Sequence, residues 1–297
     1  MKIITFYSFK GGSGRSSTTQ NTLPYLVSSL GATKETPILL LDMDLDSAGM
    51  TYLMKQEWSF KDKFDIKDFL KGSIQWSTTE QSLHDHRLFK QFVPVGNCLG
   101  VEHESVVFLG VDDNPKKIGF DDKDGMQEQH FKNLERFCTN NHFAGIVIDS
   151  SAGDQFSAKL SVNAASIVVC CLRATTQFRT GTFRYLDRYK RINKDKDIIL
   201  LPTVVPRLDR EIDGKKQLNA ALEDIMEKIK IFELKNINSS FIDYDKLGIN
   251  EVERFKWRED VLYKLEHIDK ITLLEDEKEA ANRYQKLSEV IAEMGDE

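Results

Sequence analysis

The sequence predicts an α/β fold: a mostly parallel, twisted sheet with helices on both faces. Three observations predict it. Short apolar runs without polar alternation recur along the chain, as expected for strands covered on both sides. Segments of helical periodicity separate them. A glycine-rich turn, Lys10 to Ser17, joins the first apolar run to the first helical segment.

The predicted strands are Ile3–Tyr7, Ile38–Leu41, Val106–Leu109, Gly145–Ile148, Ser166–Leu172 and Ile198–Leu201. Predicted helices cover Ser17–Leu30, Gln127–Asn140, Gln177–Ile192, Gln217–Ile229 and Lys278–Met294. The least regular stretch, about 57–124, reads as a divergent, insert-like region with Trp58, Trp76 and an acidic turn at 121–125. With no internal repeat and no low-complexity linker, residues 1–297 read as a single domain.

Composition narrows the class. The chain has 297 residues, 40% of them hydrophobic and 30% charged, ordinary values for a soluble protein. A net charge of −6 argues against wholesale coating of nucleic acid but leaves room for a local basic patch. No apolar run approaches the roughly 20 residues that span a bilayer, and the sequence enters a strand at once, leaving no room for a signal peptide. Cys98, Cys138, Cys170 and Cys171 lack paired zinc spacing, and the last two sit in a strand-like run. A reducing cytoplasm is the expected compartment.

The turn Lys10-Gly11-Gly12-Ser13-Gly14-Arg15-Ser16-Ser17 is suited to holding phosphate, because backbone N–H groups converge there at the positive end of a helix dipole. The common phosphate loop is G-x-x-x-x-G-K-[ST]. Here Phe9 stands at the first glycine position and Arg15 at the lysine position, with an additional Lys10 in front. Lys10, Gly11, Gly12, Gly14 and Ser16 resemble the deviant Walker A loop, K-G-G-x-G-K-[ST], of ParA/MinD-type P-loop ATPases, in a K-G-G-x-G-R variant. The resemblance implies a P-loop NTPase fold of the SIMIBI type, ATP and Mg2+ as cofactors, and an ATP-dependent homodimer in which Lys10 reaches the partner's phosphates. Gly11 to Ser17 would cradle the nucleotide, and Phe9 looks incidental. Arg15 keeps the charge of the usual lysine but is longer, planar and fork-shaped. Binding is therefore expected to survive, with slow hydrolysis and with Lys10 and Arg15 sharing phosphate neutralisation.

Two carboxylate motifs sit at predicted strand ends, where open α/β sheets bind ligands. Leu41-Asp42-Met43-Asp44 resembles the family's D-x-D, which implies that Asp44 orients the attacking water and that Asp42 lies near the metal. Gly145 to Gly153 resembles Walker B followed by a switch glycine. Asp149 and Ser16 would then hold magnesium. Ser151 and Ala152 stand where the family often has prolines. Leu200 to Arg207 resembles the segment near the adenine pocket, which brings in Thr203 and Pro206, and Phe241 to Asp245 falls where a loop closes over the base.

Three branches of the family make further demands. An iron–sulfur cluster is not expected, because Cys138 precedes the Walker B strand rather than following it. A membrane anchor is disfavoured by the acidic C-terminus. Only Tyr284 lies in the last thirty residues, against the tyrosine-rich tail of the related kinases. Between Arg173 and Lys196, eight basic residues face two acidic ones. Arg179, Arg184, Arg188 and Arg191 make a candidate patch for non-specific DNA or a protein partner, and a solvated helix face or dimer contact explains the same residues. The expected function is an ATP-dependent dimerising switch; the alternative is a nucleotide-binding scaffold with negligible hydrolysis.

Overall fold

The computed structural model describes residues 1–54, 65–70, 92–112, 132, 143–173, 176–192, 197–203 and 278–294. One seven-stranded sheet runs through them. Its strands are β1 (Lys2–Ser8), β2 (Ile38–Met43), β3 (Val93–Pro94), β4 (Val106–Leu109), β5 (Gly145–Ala152), β6 (Ile167–Leu172) and β7 (Asp197–Pro202). The order across the sheet is β3-β4-β2-β5-β1-β6-β7. Every pairing is parallel except β3 with β4, which is antiparallel at the edge.

The six longer strands match the six apolar runs, and β5 extends further than predicted. Asp149 pairs with both β1 and β2, Ser150 with β2, and Ala152 with Ser8 of β1 after a register shift, so Asp149 is fixed by the sheet rather than by a loop. The two-residue β3 is too short for a periodic signal.

Seven α-helices are described: α1 (Arg15–Ser29), α2 (Gly49–Leu53), α3 (Ile66–Leu70), α4 (Gly96–Leu99), α5 (Phe156–Ala164), α6 (Thr176–Ile192) and α7 (Lys278–Glu293). The sequence reading missed α5, whose small and polar residues, FSAKLSVNA, give little periodicity. Its place is fixed by tertiary contact, including the Thr5 hydroxyl donating to the Ser161 carbonyl at 2.8 Å. The predicted helix over 217–229 and most of that over 127–140 lie outside the described residues, as do 57–64, 71–91 and 113–124 of the irregular stretch.

Helix α1 buries polar residues, so its stability needs an account. Thr18, Thr19, Asn21 and Thr22 each return a hydrogen bond to the carbonyl four residues earlier, at 2.7–3.1 Å. Their polar groups are thus satisfied within the helix. Leu23 and Leu26 pack into the core. Leu287 and Ile291 of α7 join the same cluster, and Ser29 shares a 3.1 Å hydrogen bond with Ser288.

The core lies along the central strands. All six residues of β2 are buried, and Asp42 is the single charged one among them. Truncating Leu40, fully buried in this strand, is expected to cost about 2–5 kcal/mol. The measurement is the urea unfolding midpoint of Leu40→Ala at an unchanged denaturant slope.

Candidate nucleotide site

The C-terminal ends of β1, β2 and β5 converge on a cleft of about 380 Å3. The loop after β1 lines one side, from Gly11 to Ser17, while Asp44, Asp46 and Ser47 approach from the end of β2. Gly12 and Gly14 adopt left-handed conformations, φ 76° and 74°, which glycine takes without a Cβ penalty. Gly14 is also the residue from which α1 starts. A loop of this kind turns successive N–H groups inward at a helix N-terminus.

Arg15 does not lie free in this cleft. Its Nε donates to Asp149 Oδ1 and its Nη2 to Asp44 Oδ2, both at 3.0 Å. The guanidinium is almost wholly buried with its two partners. Burial alone would lower its pKa, but Asp149 and Asp44 outweigh that and hold it raised. Burial likewise pushes Asp149 up, against the pull of Arg15 and Ser16. Asp149 accepts two more hydrogen bonds, from Ser16 Oγ at 2.7 Å and Thr19 Oγ1 at 3.4 Å. The start of α1 is thereby tied to β5 through three side chains.

Asp44 is held on its other oxygen by the N–H and hydroxyl of Ser47, at 3.3 and 2.9 Å. Asp42 is fully buried and is not one of the residues that line the cleft. Its carboxylate accepts the Asp44 N–H on one oxygen and both the N–H and hydroxyl of Thr51 on the other, at 2.7–3.0 Å. Burial, reinforced by the nearby charge of Asp149, pushes its pKa up to about 7. This geometry binds β2 to α2 and leaves Asp42 in register beside Asp149.

Two other expected residues lie at the loop. The Thr203 hydroxyl, just past β7, donates to the Ser13 carbonyl and pins the loop from below. Lys10 is half-buried in front and makes no ion pair with a described residue. Pro206 lies outside the described residues, as do Phe241 to Asp245 and Cys138. Cys98 is buried against Met54 and Val95.

Sequence reasoning passed over several neighbours. Phe9 is not incidental: it packs on Gly181 of α6, where an added Cβ would fall 2.1 Å from its ring. Tyr7 donates its hydroxyl to the Gly153 carbonyl at 2.9 Å and stacks on Tyr185 of α6, with centroids 4.6 Å apart. Gly153, at φ 79°, donates its own N–H to the Ser8 carbonyl. Ser47 alone had a local signal, three residues after an aspartate as in an Asx turn. The others depend on chain crossings that no spacing reveals.

The residues fit phosphate on an observation independent of the motif. The hydroxyls of Ser8 and Ser13 line the cleft, are buried, and have no hydrogen-bond partner. Buried hydroxyls left this way are suited to a polar ligand. They fit a magnesium ion at Ser16, whose proton goes to Asp149 while its lone pairs remain available.

No protein-family model matches the sequence, and no curated protein sequence matches it. Solved structures do match its fold. MinD of Pyrococcus horikoshii with Mg-ADP aligns over 98% of this chain and 95% of its own, at 16% identity and a TM-score of 0.54. A plasmid partition protein of Borrelia burgdorferi aligns over 82% and 98%, at 20% identity and 0.53. An ATP complex of a McdA variant from Cyanothece aligns over 84% and 98%, at 13% identity and 0.55. The chain has the ParA/MinD-like fold. In that ParA/MinD-like frame the cleft lies at the end of β1, where the loop meets α1.

Arg15→Met would leave Asp149 and Asp44 without their counter-charge. The expected loss is about 3–5 kcal/mol of unfolding free energy, partly recovered in Arg15→Met/Asp44→Asn. Chemical denaturation of both variants checks it.

Proposed function

We propose that this chain binds ATP in the cleft and acts as a slowly hydrolysing, dimerising switch of the ParA/MinD type. The observation that carries this reading is the loop itself. Two left-handed glycines and two unpartnered buried serines surround the start of α1, beside a carboxylate fixed at the end of β5. Backbone N–H groups from Gly11 to Ser17 bind the phosphates. Lys10, in front of the loop, reaches the phosphates of a second copy. Asp44 lines the cleft and orients the attacking water. Ser16 and Asp149 would hold magnesium, which would supply positive charge to the phosphates.

A switch must carry the state of the cleft elsewhere. Tyr7 joins the glycine after β5 to α6, through its hydroxyl and its ring stack. Arg184 and Arg188 of α6 are exposed and Arg179 is half-buried; the side chain of Arg191 lies outside the described residues. This supports α6 as the element that engages DNA or a protein partner in the ATP-bound dimer. The contact of Arg15 with Asp44 favours a second reading, a scaffold in which ATP clamps two copies with negligible turnover, because the guanidinium occupies one oxygen of the water-orienting carboxylate.

Light scattering and ATP turnover test the proposal. ATP is expected to double the mass of the wild-type chain, and Lys10→Ala to bind ATP yet remain a monomer. A wild-type chain that binds no ATP refutes it. Asp44→Ala is expected to lower turnover about 100-fold or more in a switch; unchanged turnover selects the scaffold. A DNA mobility shift at low salt with ATP, abolished by Arg184→Glu/Arg188→Glu, would assign α6 to DNA. Its absence with ATP would leave a protein as the partner.

A further inference from the structure

Arg15 spends two of its donors on Asp149 and Asp44 inside the protein. Releasing it to a ligand would leave two buried carboxylates without that partner, a costly state. With Lys10 assigned to the phosphates of a second copy, a side-chain cation for the phosphates of the same copy comes from elsewhere in the fold.

Arg173 follows the last residue of β6, a strand paired directly with β1. The two strands end side by side, so β6 delivers Arg173 to the flank of the loop. Its Nη2 stands 3.7 Å from where a Cβ on Gly12 would be. Gly12 lines the cleft and is the first of the two left-handed glycines. A Cβ at Gly12 would meet the guanidinium in van der Waals contact.

The guanidinium is also held in place. It lies over the ring of Phe178 at 5.7 Å, a contact that orients a cation without using its N–H donors. Its Nε is buried and has no hydrogen-bond partner. A buried guanidinium N–H that is oriented but unused is suited to an anion. Arginine meets phosphate with parallel N–H donors.

We propose that Arg173 is a phosphate-binding residue of this cleft, supplying the side-chain cation that Arg15 has committed to the carboxylates. Arg15 is then a positioning residue that acts through Asp149 and Asp44. The proposal rests on the ATP reading, and its test separates the two.

The test is equilibrium binding of ATP, pyrophosphate and adenosine to the full chain, wild type against Arg173→Gln and Arg173→Lys, by titration calorimetry. Arg173→Gln is expected to weaken ATP and pyrophosphate about tenfold or more and to leave adenosine unchanged. Arg173→Lys is expected to recover part of the loss. The salt dependence of pyrophosphate binding should become shallower in Arg173→Gln. Thermal unfolding without ligand checks that the variant is folded. A folded Arg173→Gln that binds pyrophosphate as the wild type does overturns the proposal while leaving the ATP reading intact. Equal losses for adenosine and pyrophosphate also overturn it, because they indicate a packing role. A wild-type chain that binds neither ATP nor pyrophosphate overturns both.

Discussion

The buried guanidinium of Arg15, held between Asp149 and Asp44, is the interaction on which the geometry of the cleft depends. Parallel strands bring the two carboxylates to the same end of the sheet, and β2 places Asp42 directly beside Asp149. Three carboxylates so close in a dry environment repel one another and lose hydration. Arg15 pairs with two of them, while Thr51 and the backbone satisfy the third. The guanidinium can do this because it is planar and forked; an ammonium group offers a single point of charge.

The same interaction fixes the loop. Arg15, Ser16 and Thr19 all belong to the first turns of α1, and all three bond to Asp149. The helix start is therefore clamped to the centre of the sheet. Gly11 to Gly14 must span from the end of β1 to that clamped point, and left-handed glycines make the span possible. Thr203 supports the loop from β7. The result is a glycine loop whose shape is set by covalent geometry and by buried ion pairs.

Helix α6 is seated on this apparatus from the other side. Phe9 packs on Gly181, Tyr7 stacks on Tyr185, and Arg173 covers Phe178. Three contacts from β1, the loop and β6 thus meet one face of α6, and its exposed arginines point elsewhere. The loop and Gly153 thus join α6 by direct packing.

The sequence by itself determined the sheet, because strands buried on both faces must be apolar without alternation, and six runs of that kind are strands. It also determined the tight turn between β1 and α1, since glycines between a strand and a helix leave few alternatives, and it marked Asp149 and Asp44 as strand-end carboxylates. Helix α5 was invisible because its small residues carry weak periodicity and its position comes from packing on the sheet. Only the tertiary structure decided what each charged group faces. Arg15 reads as a phosphate ligand by its place in the loop, yet Asp149 is 134 residues away in sequence and 3.0 Å away in space. Arg173 reads as one more basic residue in a charged run, yet the β1–β6 pairing brings it beside Gly12. Local pattern fixes which elements form. The partner of a buried charge is fixed by which strands are neighbours, and that is a property of the assembled sheet.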